Sequence, residues 1–385
     1  MIQVFKDTHF NFMKLKYFAF LLSGIIIVAS LVNIFVHKGL NYGVDFAGGT
    51  LLRIMFRNPV SISEVRGSLS QVGLGNSRIQ EVGKESREFL IRTLQPPAKG
   101  EEESGLEAHE ILANRVLETL REAEEKEARE RGLEDLNSLN VKSLAFLLEP
   151  AIPDKAEEIA QRIIDYRVEK GIIGDFSELV ALGLGEDVIS RLREKTFLGR
   201  LTVLSRETVG PQVGKDLRSK ATQATIWALL GMLVYIGLRF KLAYGVAAVI
   251  TLFHDVVITL GIFSATNREI NLPVIAGILT IVGYSLNDTI VIFDRVRDNL
   301  KLMRKGPLER VLNVSINQTL SRTIITSGTT LLTVVALFIF GGQVINDFAF
   351  ILIIGIIVGT YSSIYQSCVL VYFWQKIFKT KKGLK

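Results

Sequence analysis

Cysteine is almost missing from this chain: Cys368 is its single thiol, so no intrachain disulfide can form. Also missing are a Walker A phosphate loop, a cluster of residues at metal-ligand spacing, and a nucleophile placed near a base. These absences argue against nucleotide-driven, metal-assisted or covalent chemistry, and no cofactor is expected. An energy source for such a chain should be an ion gradient. Basic residues are scarce in two of the short inter-span loops, which hold only Arg268 between them. An A-x-A cleavage site after the first apolar run is lacking, and that run is too long for a signal-peptide core, so it reads as an uncleaved signal-anchor.

What the chain has in excess is apolar length. Its 385 residues are 48% hydrophobic, and the mean hydropathy is +0.32, too apolar for an ordinary soluble protein. Six stretches predict membrane-spanning helices, at roughly 15–36, 221–238, 242–263, 272–293, 323–340 and 348–374. The net charge of +6 has its cause in the loops. Lys and Arg crowd the N-terminus (Lys6, Lys14, Lys16), the second-to-third connection (Arg239, Lys241), the fourth-to-fifth connection (Arg295 to Arg310) and the tail (Lys376 to Lys385). The positive-inside rule then places both termini in the cytoplasm and the large polar segment outside the membrane, in the periplasm or its equivalent. The expected organisation is 1–37 as cytoplasmic N-terminus and first span, 38–218 as the periplasmic domain, and 219–385 as spans two to six with a cytoplasmic tail.

The external domain opens with NYGVDFAGGTLLRIMF, in which Asp45 precedes the flexible pair Gly48-Gly49 and a strand at 50–56. A helix at 61–72, strands at 77–82 and 88–94, a helix at about 108–129 and a strand at 201–207 complete the order of a ferredoxin-like α+β fold. The charged stretch from Gly100 to Asp135 reads as a solvated helix with pairs such as Glu122–Lys126. Residues 140–198 form an insertion with two similar hairpins at an offset of 32, turning at Ala151-Ile152-Pro153 and at Gly183-Leu184-Gly185. They resemble the tandem helix-hairpin-helix module of DNA-uptake proteins. Only the second keeps the G-x-G, and Asp154, Glu157 and Glu158 would repel phosphate, so packing or partner docking is expected in place of nucleic acid.

Asp288 lies inside a span, where a carboxylate costs roughly 2.5–3.5 kcal/mol. Tyr284 and Asp288 share a face with Thr280, and Asn287 lies alongside. Arg322, Thr326, Thr330 and Thr333 share a face of the fifth span, with Thr329 beside them; Thr251, Asp255 and Thr259 do so in the third, next to His254. Polar faces on apolar helices turn inward, toward hydrogen bonds or water. Asp288 and Arg322 both fall toward the cytoplasmic side, so they can meet. Two readings fit: a carboxylate that takes and releases an ion, H⁺ or Na⁺, as the arginine moves, or a static ion pair that fixes helix packing. Asp255 and His254 are open to function or to a place at a helix end. Asp347 reads either as an aid to ions at the outer mouth or as a solvated loop acid. Gly277, Gly283, Gly355 and Gly359 suit close helix contacts.

GVDFAGGT (43–50), VGPQVGKDL (209–217), SLNDTIVIFDRVRDN (285–299) and NQTLSRTIITSGTTLL (317–332), in this order, resemble the bacterial SecF family over nearly the whole chain outside the insertion. The resemblance implies a fold related to RND transporters and a role in protein export driven by the proton motive force. It implies SecD as partner, the SecYEG translocon with YajC and YidC as further partners, unfolded preprotein as substrate and membrane lipid as surroundings. It places the essential intramembrane aspartate at Asp288 and its arginine at Arg322. Rival readings are half of an RND-type small-molecule or lipid exporter, a DNA-uptake component, and a structural scaffold for SecD.

Overall fold

The computed structural model describes residues 8–37, 39–83, 85–93, 105–121, 123–240, 242–303 and 306–382. Lys6, Leu94, the start of the charged stretch at Gly100, Glu122 with its expected Lys126 pair, Lys241, Arg304, Lys305 and Lys385 lie outside the described residues. The chain forms two compact units, one of Met1–Gly43 with Leu217–Lys385 and one of Val44–Asp216. The first unit begins with a 3-10 turn, Phe12–Leu15, capped by Asn11, whose side chain accepts from the Lys14 N–H. It continues as helix α1 (Lys16–Val32) and a π turn, Asn33–His37.

In the second unit, α2 (Val44–Ala47), β1 (Gly49–Phe56), α3 (Ile62–Gln71), β2 (Arg78–Val82), β3 (Glu88–Thr93) and α4 (Gly105–Leu120) come first. Then follow α5 (Ala123–Glu130), β4 (Glu134–Asp135), α6 (Val141–Leu148), α7 (Ala156–Lys170), α8 (Ser177–Ala181), α9 (Glu186–Lys195), β5 (Thr196–Phe197) and β6 (Leu201–Val209). The sheet has the order β2-β3-β1-β6 with every neighbouring pair antiparallel, the split-βαβ arrangement. Strand β1 alternates, so Leu52, Ile54 and Phe56 all point to one face and are 0–1% exposed. They meet Val65 and Leu69 of α3 and Ala113 and Val116 of α4. Each such large side chain contributes about 1.5–3 kcal/mol by leaving water. Ser61 starts α3 by accepting from the Glu64 N–H at 3.2 Å. The single helix expected at about 108–129 is two helices. The first ends at Leu120 and the second starts at Ala123; in the first turn of the second, Glu125, 6% exposed, turns inward to accept from the Arg200 amide.

Two glycine-bearing motifs far apart in sequence pack face to face here. Gly48 and Gly49 have φ of +73° and +125°, a region that side chains avoid. A Cβ on Gly48 would lie 3.1 Å from the Pro211 Cα, and one on Gly214 would lie 3.1 Å from the Gly48 nitrogen. Backbone meets backbone at this point, so both motifs require glycine.

Between α5 and β6 the chain builds a second small core from Leu136, Leu144, Leu148, Ile163, Ile173, Leu179 and Leu192, all 0–1% exposed. Parallel pairing of β4 with β5 closes its base. Asn137 stitches the base to the loop after α7: its amide donates to the Ile173 carbonyl at 3.0 Å and its carbonyl accepts from the Ile173 N–H at 2.9 Å. Asp135 Oδ1 accepts from the N–H groups of Asn137 and Gly199, both at 3.0 Å. Burial nevertheless dominates and holds the Asp135 carboxyl above the usual carboxylate range. A raised acid binds its proton more readily folded than unfolded. Its burden on stability is therefore full at neutral pH and lifts as pH falls through the raised value toward about 3.9. Asp135→Asn removes that dependence. Pulse proteolysis of the full-length chain between about pH 4 and pH 7 should show the variant gaining on the parent as pH rises; a gap that stays constant contradicts the assignment.

The remaining helices are α10 (Pro211–Arg239), which starts in the second unit and runs on in the first, and, in the first, α11 (Leu242–Ala265), α12 (Leu272–Leu302), α13 (Leu308–Phe340), α14 (Gly342–Ile364) and α15 (Gln366–Lys382). Among the described residues, six spans are long and apolar enough to cross a bilayer. The last expected span, 348–374, is broken between α14 and α15 at Tyr365, where Gln366 turns to donate to the Ala19 carbonyl of α1 at 3.0 Å. Asn271 caps α12, accepting from the Val274 N–H at 3.1 Å. Helices α12 and α14 approach closely at small residues: a Cβ on Gly355 would fall 2.3 Å from the Ile281 side chain, and one on Gly359 3.1 Å from the Ser285 Cβ. Gly277 is equally tight against Ile351, but Gly283, expected at such a contact, faces open space. Helix α1 meets α11 at Gly261, against Ser30. By contrast α10 is exposed along most of its length and joins the core only near its end, through Ile236.

At one end α12 and α13 continue past their apolar stretches as a polar stem. Asn299 Nδ2 donates to Ser315 and Gln318, both at 2.8 Å, and Arg295 donates to Gln318 at 2.6 Å. Asn317 of α13 binds the chain ahead of α1, accepting from the Phe10 N–H at 3.0 Å and donating to its carbonyl at 2.8 Å.

Candidate functional site

Asp288 is 3% exposed on α12, with α13 and α14 packed on that helix. Ser327 of α13 donates to its Oδ2 at 3.3 Å, and Thr360 of α14 donates to Ser327 at 2.9 Å. A carboxylate with a single long hydrogen bond is poorly compensated in an apolar interior. Tyr284, one turn before Asp288, and Thr323, one turn before Ser327, carry buried hydroxyls that make no hydrogen bond among the described residues. Because α12 and α13 run antiparallel, as the Asp288–Ser327 and Asn299–Ser315 contacts show, these two residues fall on opposite sides of Asp288 along the helix axis.

Arg322 is not beside Asp288 in this conformation. It is exposed on α13 and forms no ion pair among the described residues, though its charge is near enough to act on the Asp288 carboxylate. Asn287, Thr280, Thr329 and Thr333 are exposed as well, so much of the polar face expected to turn inward lies on the outside of the single chain. Thr326 and Thr330 are half-buried, and their hydroxyls are taken up by carbonyls one turn back, at 2.9 Å each. A polar helix face cannot be left to hydrocarbon, so it needs a covering helix or water.

The best-satisfied carboxylate is Asp255 on α11, fully buried. Its Oδ1 lies 2.8 Å from His254 Nδ1; its Oδ2 accepts from Ser285 of α12 and, at 2.7 Å, from Ser362 of α14. It therefore sits mid-bundle and not at a helix end. Sequence periodicity marked Asp255 but gave no sign of Ser285, Ser327, Thr360 or Ser362, since isolated serines and threonines are common in spans. Asp347 is not a bare loop acid: Arg268 Nη1 pairs with it and donates to Asn346 at 2.7 Å, while the guanidinium lies 4.1 Å from the Phe350 ring centre. Asp45 stands in the first turn of α2, directly ahead of Gly48 and Gly49.

The family described as "Protein export membrane protein SecD/SecF, C-terminal" matches residues 170–377, and "SecD/SecF GG Motif" matches 34–60, which includes Gly48-Gly49. "Protein translocase subunit SecF" of Koribacter versatilis is 38% identical, with 94% of this chain and 91% of the relative covered. The protein of the same name from Desulfurispirillum indicum is 40% identical, again with 94% and 91% covered. The crystal structure of SecDF, a translocon-associated membrane protein from Thermus thermophilus, is similar with a TM-score of 0.67 and 31% identity. The alignment covers 96% of this chain and 39% of that one, so this chain spans about two fifths of SecDF.

Proposed function

The chain belongs to the SecD/SecF family of protein-export membrane proteins, and on that premise we propose that its bundle couples export to a proton gradient through Asp288. It is a SecF-type, multi-pass subunit of the Sec protein-export machinery and works with SecD. Its part is transport and not catalysis. The observation that carries the proposal is Asp288 itself: a carboxylate 3% exposed, held by one hydroxyl at 3.3 Å. The buried hydroxyls of Tyr284 and Thr323 on either side of it support a path for a proton.

In this mechanism Arg322 approaches the ionised carboxylate and leaves when it is protonated. Thr326 and Thr330 line the approach, and Asn287 lies on the same exposed face, which SecD covers. Each change of state shifts α12 and α13 and alters the grip of the external unit on unfolded preprotein. Asp347, tied to Arg268, marks the outer mouth. Asp45, Gly48 and Gly49 belong to the tight motif in which Gly48 packs on the Pro211–Gly214 backbone of the external unit.

The membrane is the cytoplasmic (inner) membrane, with both termini in the cytoplasm and residues 38–218 in the periplasm. SecYEG is the channel served, and YajC and YidC are auxiliary partners. The helix-hairpin-helix-like insertion docks protein and not DNA, because the helix after each hairpin starts with acids, Glu157 and Glu158 in α7 and Glu186 and Asp187 in α9. The test is completion of reporter export in vesicles carrying this chain with its SecD. A protonophore removes the gain over vesicles lacking the pair, and a sodium ionophore does not. A gain that survives the protonophore refutes proton coupling.

A further inference from the structure

The path through Asp288 leaves the second buried carboxylate unused, and the group next to it is unusual. His254, 4% exposed, lies between two sets of partners. Nδ1 faces Asp255, and Nε2 is 2.9 Å from Ser23 Oγ of α1. The Ser23 hydroxyl also accepts from Gln366 Nε2 of α15 and lies 3.3 Å from the Tyr361 hydroxyl of α14. Tyr361 donates onward to the Ala19 carbonyl at 3.0 Å.

Hydrogen placement is complete in two ways. With a neutral ring, Nδ1–H donates to Asp255 and Nε2 accepts from Ser23, which accepts from Gln366. With a doubly protonated ring, Nε2–H donates to Ser23, whose own hydrogen turns to the Tyr361 oxygen. Every donor finds an acceptor in both states, and no heavy atom moves. The charges differ. The neutral ring leaves one negative charge buried on Asp255. The protonated ring makes a neutral pair whose polar atoms are all hydrogen-bonded, the condition under which a buried ion pair is tolerated.

We propose that His254 is a second proton-holding site of the bundle, with Asp255 as its counter-ion. This rests on the reading of the bundle as proton-coupled. The titratable groups facing the ring are Asp255 on its own helix and Tyr361 on α14. The surrounding α1, α12 and α15 present Ser23, Ser285 and Gln366, which carry no charge. The site is tied to the first one. Ser285 lies three residues before Asp288 on α12, and Ser362 two residues after Thr360, the far end of the Asp288–Ser327–Thr360 chain on α14. Both carboxylates thus hold α12 and α14, and a change at either is felt by the same pair of helices.

The experiment uses the full chain with SecD in lipid nanodiscs, with 15N-labelled histidine. The chain has four histidines, and the His254 signal is assigned in a form with His9, His37 and His109 replaced by Gln. The expected result is reversible conversion between singly and doubly protonated rings across the pH range in which the complex stays intact. His254→Gln should lower proton-driven export severalfold and flatten its pH profile, with SecD still bound. A ring fixed in one state across that range overturns the proposal, as does export by His254→Gln equal to the parent's. Asp288→Asn separates the two readings: if it exports normally while His254 still converts, the relay at Asp288 fails and the second site stands.

Discussion

Asp288→Asn is expected to lower export to the level of cells without the subunit, while the complex with SecD still assembles. The substitution keeps the size of the side chain and an oxygen that can accept from Ser327, so the packing of α12 against α13 and α14 survives. What it removes is the ability to bind and release a proton. One proton crossing about 150 mV supplies about 3.5 kcal/mol, enough to bias a two-state element several hundredfold. Loss of that bias should be nearly complete and should leave ATP-driven steps untouched. Asp288→Glu restores part of the activity, because the carboxyl returns with its position displaced. Export is followed with a secreted reporter and assembly by copurification. Normal export with Asn at this position would make Asp288 a packing residue and the subunit a scaffold.

Gly261→Val detaches α1 from the bundle. A Cβ at Gly261 would lie 2.2 Å from both the Cβ and Oγ of Ser30 and 2.7 Å from its Cα. The neighbour is partly backbone, so no rotamer change relieves the clash and α1 must move. Overpacking of this kind costs about 1–3 kcal/mol, and more where backbone is displaced. Contacts on either side hold the chain in place against this strain: Asn33, just after α1, donates to Ser264 at 2.9 Å, and Ser23 meets His254 at 2.9 Å. Thermal inactivation and proteolysis within α1 should both accelerate. Ser30→Gly should recover part of the loss in the double variant, since the two positions share one contact. Unchanged stability in Gly261→Val would contradict the close approach of these helices.

The spans were legible because continuous apolar length is the coarsest signal a sequence carries. The sheet was legible because Leu52, Ile54 and Phe56 alternate with polar or half-buried neighbours. Asp288 and Asp255 stood out as charges in apolar runs. What could not be read was rotation. A stripe at i, i+4 says which residues share a face, not which way the face turns, so Arg322, Asn287 and Thr333 emerge on an exposed side. The hydrogen-bond partners of both carboxylates are single serines and threonines on other helices, and nothing local distinguishes Ser327 from any serine in a span. The break at Tyr365 was hidden for the opposite reason: apolar composition runs through it, and its cause is Gln366 reaching a different helix. Gly261 looked ordinary because its meaning depends on Ser30, more than 200 residues away.

The polar stem has a mechanical consequence. Helix α12 has 31 residues and α13 has 33, which at 1.5 Å per residue makes rods of about 46 and 50 Å. The hydrocarbon layer is only about 30 Å thick. An oar longer than its oarlock moves most at the blade. The close contacts of Gly355 and Gly359 hold α12 at mid-length, so a small swing there becomes a larger sweep of the projecting tip. Asn317 fastens the leading strand of the chain to that tip, and the first helix is dragged along with it. Whatever touches the tip outside the bilayer can therefore sense, without entering the lipid, any tilt of the helix that carries Asp288.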